Sequence, residues 1–569
     1  MWHTDDRSFT THDSAHSPCP AIAFHIPNTD ACDPVSHRDK ELEIIAVACT
    51  YAVSVVTAYA TSLISIARTH RNHMSPIYRI PEEVLSIIFE FTKSSLRNPS
   101  RPLSTKAPVN ISQVSRRWRG VALNNPMLWT AIDASNAPLA HLYMERSRSC
   151  PLHIELRNYS EDYPSSDASD EDRHELAMGD AAYDTQSEDY QGFFRPLLPH
   201  IERWRGLSLE GLFYEDFETL KLPHAPNLDC LRLFTSGDTA LSLESLPPHA
   251  PFDQRLPKLS ILELEDFELP FTSSMFIGLK ELYLHYLTYP DGAPQDLLDI
   301  IVACPLLEKV KFEHIQLGEQ PDPVLRLYSK SILCPNLRSM ELYFMEPSTA
   351  RSILSSIVIP PTARLAIWMY HHDNCLGDIL PPAALLAQCL PNLFAMRALC
   401  FEIRPIFSQI WITGKTCEGG IELLQLQLQC PYSSFTYMHT PLSGAAEDVA
   451  SNFGRALPNL PVHTLSFLAV HSYQLSERAF SEFVGSMSAI TLVSLNECDA
   501  PTFLEMLAVT TTRHLCPSLQ ALHLRLSYFR TPLLDDIIKS RQPQNLCIRI
   551  TSSSGTDEYT PSGLESLAE

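Results

Sequence analysis

A chain of 569 residues, 45% of them hydrophobic, is long enough for two or more folded domains, or for one small module joined to a repeat array. Its formal net charge of −23 argues against nucleic acid as a partner, because phosphate contacts need basic patches, and it favours solubility. The 15 cysteines include no Cys-x-x-Cys pair, which argues against a secreted disulfide framework or a zinc module and for buried thiols in a reducing, cytoplasmic or nuclear compartment.

Residues 1–40 are rich in His, Asp, Ser, Thr and Pro, show no apolar period, and are expected to form a disordered tail. His3, His12, His16, His25 and His37 have no spacing that matches a structural metal site. Residues 41–74 predict an apolar helix. Within it, residues 44–67 form a charge-free run of 24 residues, enough to cross a bilayer. Arg68, His70, Arg71 and His73 follow, which would hold the downstream chain in the cytosol. Against a span stand six Ser/Thr and two Tyr in the run, and Ile45, Cys49, Ala52, Val56, Tyr59, Leu63 and Ile66 fit one helical face. The segment therefore reads as a packing helix or a membrane anchor; it starts too far from Met1 for a signal peptide.

Residues 75–132 carry the densest signal. Pro81 sits where a helix can begin, and Glu82 and Glu83 suit the positive end of its dipole. Val84, Ile88 and Phe91 share one face, with Leu85 and Phe89 beside it, an arc wide enough to cover two surfaces. Residues 92–109 read as a long loop. Asn110 is the expected N-cap of a second helix, whose buried stripe is Ile111, Val114, Trp118, Val121 and Ala122. Asn124, Asn125 and Pro126 end it, before an apolar clamp of Leu128 and Trp129. The order Ile80-Pro81-Glu82-Glu83-Val84-Leu85, then Val114-Ser115-Arg116-Arg117-Trp118-Arg119, then Leu128-Trp129 resembles an F-box, with Ile80 in place of the usual Leu. It is similar to the F-box-like domain proteins of mushroom-forming fungi. The resemblance implies a small all-α, three-helix module that binds a Skp-type adaptor and, through it, the cullin complex of an SCF ubiquitin ligase. The residues it puts at the adaptor are Ile80, Pro81, Val84, Leu85, Ile88, Phe89, Val114, Trp118 and Trp129, and Leu85→Asp is the substitution expected to abolish binding.

Residues 133–192 read as a linker. They hold a helix, a first strand at Leu152, Ile154 and Leu156, and an acidic insertion with eleven Asp/Glu against one Arg over residues 159–191. From 193 to 552 one phrase recurs, Pro-x-Leu-x-x-Leu-x-Leu. It is clear at Pro226, Leu228, Leu231, Leu233 and again at Pro257, Leu259, Leu262, Leu264, and it returns at Pro305, Pro335 and Pro517. The Leu-x-Leu pair marks a short strand with one face inward, and stretches such as residues 296–304 and 533–540 read as the helices between strands. These units resemble irregular leucine-rich repeats, with Cys-Pro-x-Leu forms at Cys304, Cys334 and Cys516. The fold class expected is α/β: the F-box followed by an irregular leucine-rich-repeat solenoid, a horseshoe, with a tail over 553–569. Repeat strands would show partners their intervening residues: Arg232, Glu263, Tyr283, Lys311, Glu341 and His523.

No phosphate loop, zincin helix or nucleophile elbow occurs, and His371, His372 and Cys375 form only a polar cluster. The expectation is a non-enzyme without cofactor or metal, whose protein substrate the sequence does not name. The competing reading is a repeat scaffold, tethered or not through residues 44–67.

Overall fold

In the computed structural model the described residues are 34–93, 103–133, 139–157, 190–212, 220, 222–235, 252, 256–318, 331–370, 378–404, 409–429, 465–471, 476–485, 487–498, 500–511, 513–542, 546–552 and 555–559. The acidic insertion up to residue 189, the cluster of His371, His372 and Cys375, residues 1–33 of the tail and residues 560–569 lie outside them. The described residues fall into two compact units, one ending at Leu85 and one beginning at Ser86.

The first unit is dominated by α1, Pro34–Met74. It opens at Pro34, inside the stretch expected to lack structure, because proline is well suited to a first helical turn. A 3-10 turn, Pro76–Arg79, follows, and the Tyr78 ring lies 4.9 Å from that of His73. Every side chain from residue 38 to 71 is exposed.

The helices that follow are α2, Glu82–Lys93, α3, Leu103–Val114, and α4, Arg116–Asn124. The expected loop of residues 92–109 is thus helical from Leu103 onward, with Pro108 inside the helix. The single helix expected from Asn110 is in fact two, broken at Ser115. Its hydroxyl accepts the Trp118 N–H at 3.1 Å and caps α4, while Asn110 lies inside α3.

The rest of the second unit is a mixed α/β arrangement around one large, mostly parallel sheet. Its strands are β1 Ala131–Asp133, β2 Leu152–Arg157, β3 Trp204–Leu212, β4 Cys230–Thr235, β5 Ile261–Glu265, β6 Glu281–His285, β7 Lys309–Glu313, β8 Ser339–Tyr343, β9 Arg364–Tyr370, β10 Ala398–Arg404, β11 Gln409–Lys415, β12 Glu422–Gln429, β13 Phe467–His471, β14 Leu492–Asn496, β15 Ala521–Arg525, β16 Cys547–Ser552 and β17 Gly555–Tyr559. β1 to β9 pair in sequence order, all parallel. β12 pairs next to β9, and the order then runs backwards through antiparallel β11 to β10 before β13 resumes it. β13 to β16 are again parallel, and antiparallel β17 forms the edge, inside the expected C-terminal tail.

The repeated phrase explains this register. Leu231, Leu262, Leu282, Val310, Met340, Leu365 and Leu424 lie side by side in one buried row. Leu233, Leu264, Leu284, Phe312, Leu342, Ile367 and Leu426 form the next. A one-residue slip would turn both rows to the opposite face, so the alternation locks the pairing. Each buried leucine side chain contributes about 1.5–3 kcal/mol. Helices α6 Pro294–Ala303, α7 Pro347–Ser356 and α8 Ala383–Cys389 pack on one another in order, as do α9 Glu477–Val484, α10 Ala500–Leu507 and α11 Thr531–Ser540; α5, Ala140–Arg146, lies earlier, between β1 and β2. This mixed sheet is coarser than the horseshoe expected. The reversed β10–β12 order breaks the one-strand, one-helix succession, and among the described residues no α-helix separates β5 from β6.

Candidate interaction surfaces

The α2–α4 module is held by a small set of contacts. α3 and α4 pack together and on the 3-10 turn Pro126–Trp129, where Leu128 and Trp129 are buried. Trp129 Nε1 donates to the Ala122 carbonyl at 2.8 Å, its ring meets Tyr143 edge-on at 5.1 Å, and the Arg146 guanidinium lies 4.3 Å above it. Phe89 of α2 meets the Trp118 ring at 4.9 Å. Asn125 fastens α2 to the end of α4: its amide donates to Ser86 Oγ at 2.6 Å and Glu90 Oε1 at 2.7 Å, and its carbonyl oxygen accepts the Met127 N–H at 3.0 Å.

This packing divides the nine residues expected at the adaptor. Leu85, Phe89 and Trp129 are buried, at 0%, 2% and 0% exposure, so they hold the module together and present nothing to a partner. Trp118 and Ile80 are half-buried. Pro81, Val84, Ile88 and Val114 are exposed. Two residues absent from the expected set join them on α2, Ile87 at 52% and Phe91 at 70% exposure. Val84, Ile87, Ile88 and Phe91 recur at the three- and four-residue spacing of one helix face. An isolated exposed apolar residue is ordinary, but four along about two turns make an apolar stripe of the kind that marks a binding face. The pattern was legible in the sequence; which half of the wide arc turns inward was not.

A second surface is the sheet face opposite the leucine rows. Arg232, Glu263, Tyr283, Lys311 and Glu341 stand in one cross-strand row, as their register requires, and His523 lies in β15 beside Ser494. They form a network of paired charges. Arg232 meets Glu263 at 2.8 Å, Lys309 meets Glu281 at 3.0 Å, Lys311 meets Glu313 at 2.6 Å, and Arg364 reaches both Glu341 and Glu422, at 3.1 and 2.7 Å. Glu313 also pairs with His285 Nδ1 at 3.0 Å. These contacts, the His285 hydrogen bond first, hold the Glu313 carboxyl down to about 2. A lowered carboxylate stabilises the fold above its unfolded value, near 4.5, and loses that contribution as pH falls toward 2. Glu313→Gln is therefore expected to be less stable than wild type at neutral pH and to converge with it between about pH 4.5 and 2, read by urea titration.

Beside this network runs an aromatic ladder. The Tyr286 and His314 rings stack at 4.8 Å, His314 and Phe344 at 4.6 Å, and Phe344 continues to Tyr370 at 4.8 Å. Tyr286 and Tyr370 are exposed, and burial lowers the His314 pKa. The ladder comes from a turn that recurs where strands end. Asp266, Tyr286, His314, Phe344, Glu497 and Leu526 each follow the last strand residue with φ between 49° and 55°. In each, the N–H extends the ladder by bonding a carbonyl at or near the end of the next strand, as Tyr286 does to Glu313 at 2.9 Å and His314 to Tyr343 at 2.9 Å. That bond offsets the roughly 1–2 kcal/mol that a left-handed residue costs.

The Cys-Pro-x-Leu cysteines are packing groups. Cys304, Cys334 and Cys516 are buried, and burial raises the Cys334 and Cys516 thiols to about 11, far from the thiolate form that reacts. Among the described residues no group of three His, Cys, Asp or Glu side chains is placed to hold a metal.

The family model described as F-box-like matches residues 77–135, spanning α2 to α4 and the Trp129 turn. The chain therefore carries an F-box-like domain there. No curated protein matches the chain.

Proposed function

We propose that this chain is the substrate-recognition subunit of an SCF-type (cullin-RING) ubiquitin ligase. It docks a Skp-type adaptor on the exposed face of α2 and a protein substrate on the large sheet, which is read as an irregular leucine-rich-repeat horseshoe of the kind in the F-box proteins of mushroom-forming fungi. The observation that carries this reading is the coincidence of the F-box-like match with the exposed stripe of Val84, Ile87, Ile88 and Phe91. F-box domains generally bind Skp-type adaptors, and such a subunit contributes proximity, holding substrate near a ubiquitin-loaded enzyme supplied by others. It needs no catalytic residue, cofactor or metal of its own, and it works with its folded domains in the cytoplasm or nucleus. The aromatic ladder and the charge network support the sheet as the substrate face, because aromatic anchors beside polar groups recur in protein interfaces.

The test is the lifetime of captured proteins. Proteins that copurify with the chain are expected to have half-lives several-fold longer in cells whose only copy is Ile88→Asp than in cells with wild type. Unchanged half-lives, with capture intact, would leave a scaffold in place of a receptor.

A further inference from the structure

We propose that α1 spans a lipid bilayer and ties the folded domains to a membrane surface. The reading is independent of the adaptor assignment. Residues 44–67 carry no charge, and at 1.5 Å per residue they extend about 36 Å, enough for a hydrocarbon core of about 30 Å. The helix is long and apolar enough to cross a membrane, and all side chains from residue 38 to 71 are exposed.

Apolar groups also cover most of the helix. Ile44 and Ile45, Val55 and Val56, and Leu63 and Ile64 are adjacent pairs, all exposed, and adjacent helical residues point about 100° apart. A coiled-coil seam with a second copy would confine them to positions three and four apart. The apolar surface covers more than half of the helix circumference, and Thr50, Ser54, Thr57, Thr61 and Ser65, three and four apart, line the remaining side. Three of the hydroxyls are satisfied internally: Thr50, Thr57 and Thr61 donate to the carbonyls of Ala46, Val53 and Thr57 at 2.8, 2.7 and 2.7 Å. Charge asymmetry sets the orientation. Arg68, Arg71 and Arg79 follow the run with no acidic residue before Glu82, whereas Arg38 and Lys40 precede it among Asp39, Glu41 and Glu43. The residues after α1 then lie on the cytosolic side.

The experiment uses the full chain expressed in cells, with membranes washed in alkaline carbonate and floated on a density gradient. Wild type is expected to stay with the floated membranes. Val53→Arg with Val56→Arg, at the centre of the run, is expected to lower the retained fraction at least about tenfold, because charge at a helix centre opposes insertion. Replacing residues 44–67 with 24 alternating leucines and alanines is expected to keep retention, since composition and length, not sequence, make a span. Wild type recovered as soluble monomer, as soluble dimer, or in the carbonate wash would overturn the proposal, as would retention of the double-arginine variant. Adaptor capture from the same detergent extracts reports the F-box reading separately.

Discussion

Ile88→Asp in the full chain is expected to lose capture of a Skp-type adaptor by about 30-fold or more while its melting transition stays within a degree or two of wild type. Ile88 is 40% exposed on α2, so in the unbound protein a carboxylate there stays in water, and surface changes of this kind shift stability by about 0.5 kcal/mol or less. In an apolar interface the same carboxylate is desolvated without a partner, and hot-spot losses of about 2 kcal/mol or more correspond to that fold-change. Leu85→Asp, the substitution the sequence points to, behaves differently. Leu85 has 0% exposure, and a charge placed there costs several kcal/mol of folding free energy, so lost binding would report an unfolded module. Melting and adaptor capture measured on both variants separate the two cases: Ile88→Asp stays folded and unbound, Leu85→Asp melts early.

Arg541→Met is expected to destabilise the C-terminal end of the sheet by about 3 kcal/mol or more. Arg541 is 1% exposed, at the C-cap of α11. Its guanidinium donates to three backbone carbonyls: Leu507 at 3.0 Å, Cys516 at 2.9 Å and Leu515 at 2.5 Å. It thus joins the end of α10, the turn into β15 and the end of α11. Burial works against its charge and lowers its pKa, yet the three acceptors keep the planar fork in place. A methionine fills similar volume but takes this donor from the Leu507 and Leu515 carbonyls, while Cys516 keeps the Leu519 N–H at 3.0 Å, at about 1–3 kcal/mol for each buried group left unmet. Arg541→Lys lacks the fork and is expected to recover only part of the loss. Hydrogen exchange over residues 500–552 is the measurement: faster exchange confined there fits the pin, and wild-type protection throughout would refute it.

The sequence showed the sheet more clearly than the surfaces. The Leu-x-Leu alternation determines which side of β4 to β9 is buried, and the structure keeps that register across seven apolar positions in each row, the seventh in β12. The strand-ending turns left no trace, because left-handed positions usually advertise themselves as Gly or Asn, and here they hold Asp, Tyr, His, Phe, Glu and Leu. The aromatic ladder those turns create was unreadable for the same reason. On α2 the wide apolar arc was visible, but helical periodicity alone does not say that Leu85 and Phe89 face inward while Ile87, Ile88 and Phe91 face water. That division comes from Asn125 and Trp118, which meet α2 from later in the chain. Ser115 carries a local signal for the break between α3 and α4, because a serine before a helical run is a capping residue. Arg541 gave no warning, since its acceptors are backbone carbonyls from segments distant in sequence.

Size-exclusion chromatography of the detergent-solubilised full chain mixed with a purified Skp-type adaptor tests the central claim most directly. A stoichiometric complex is expected with wild type, and separate elution of a folded Ile88→Asp chain. A wild-type chain that is folded and elutes without the adaptor, or an Ile88→Asp chain that binds as wild type does, would contradict it.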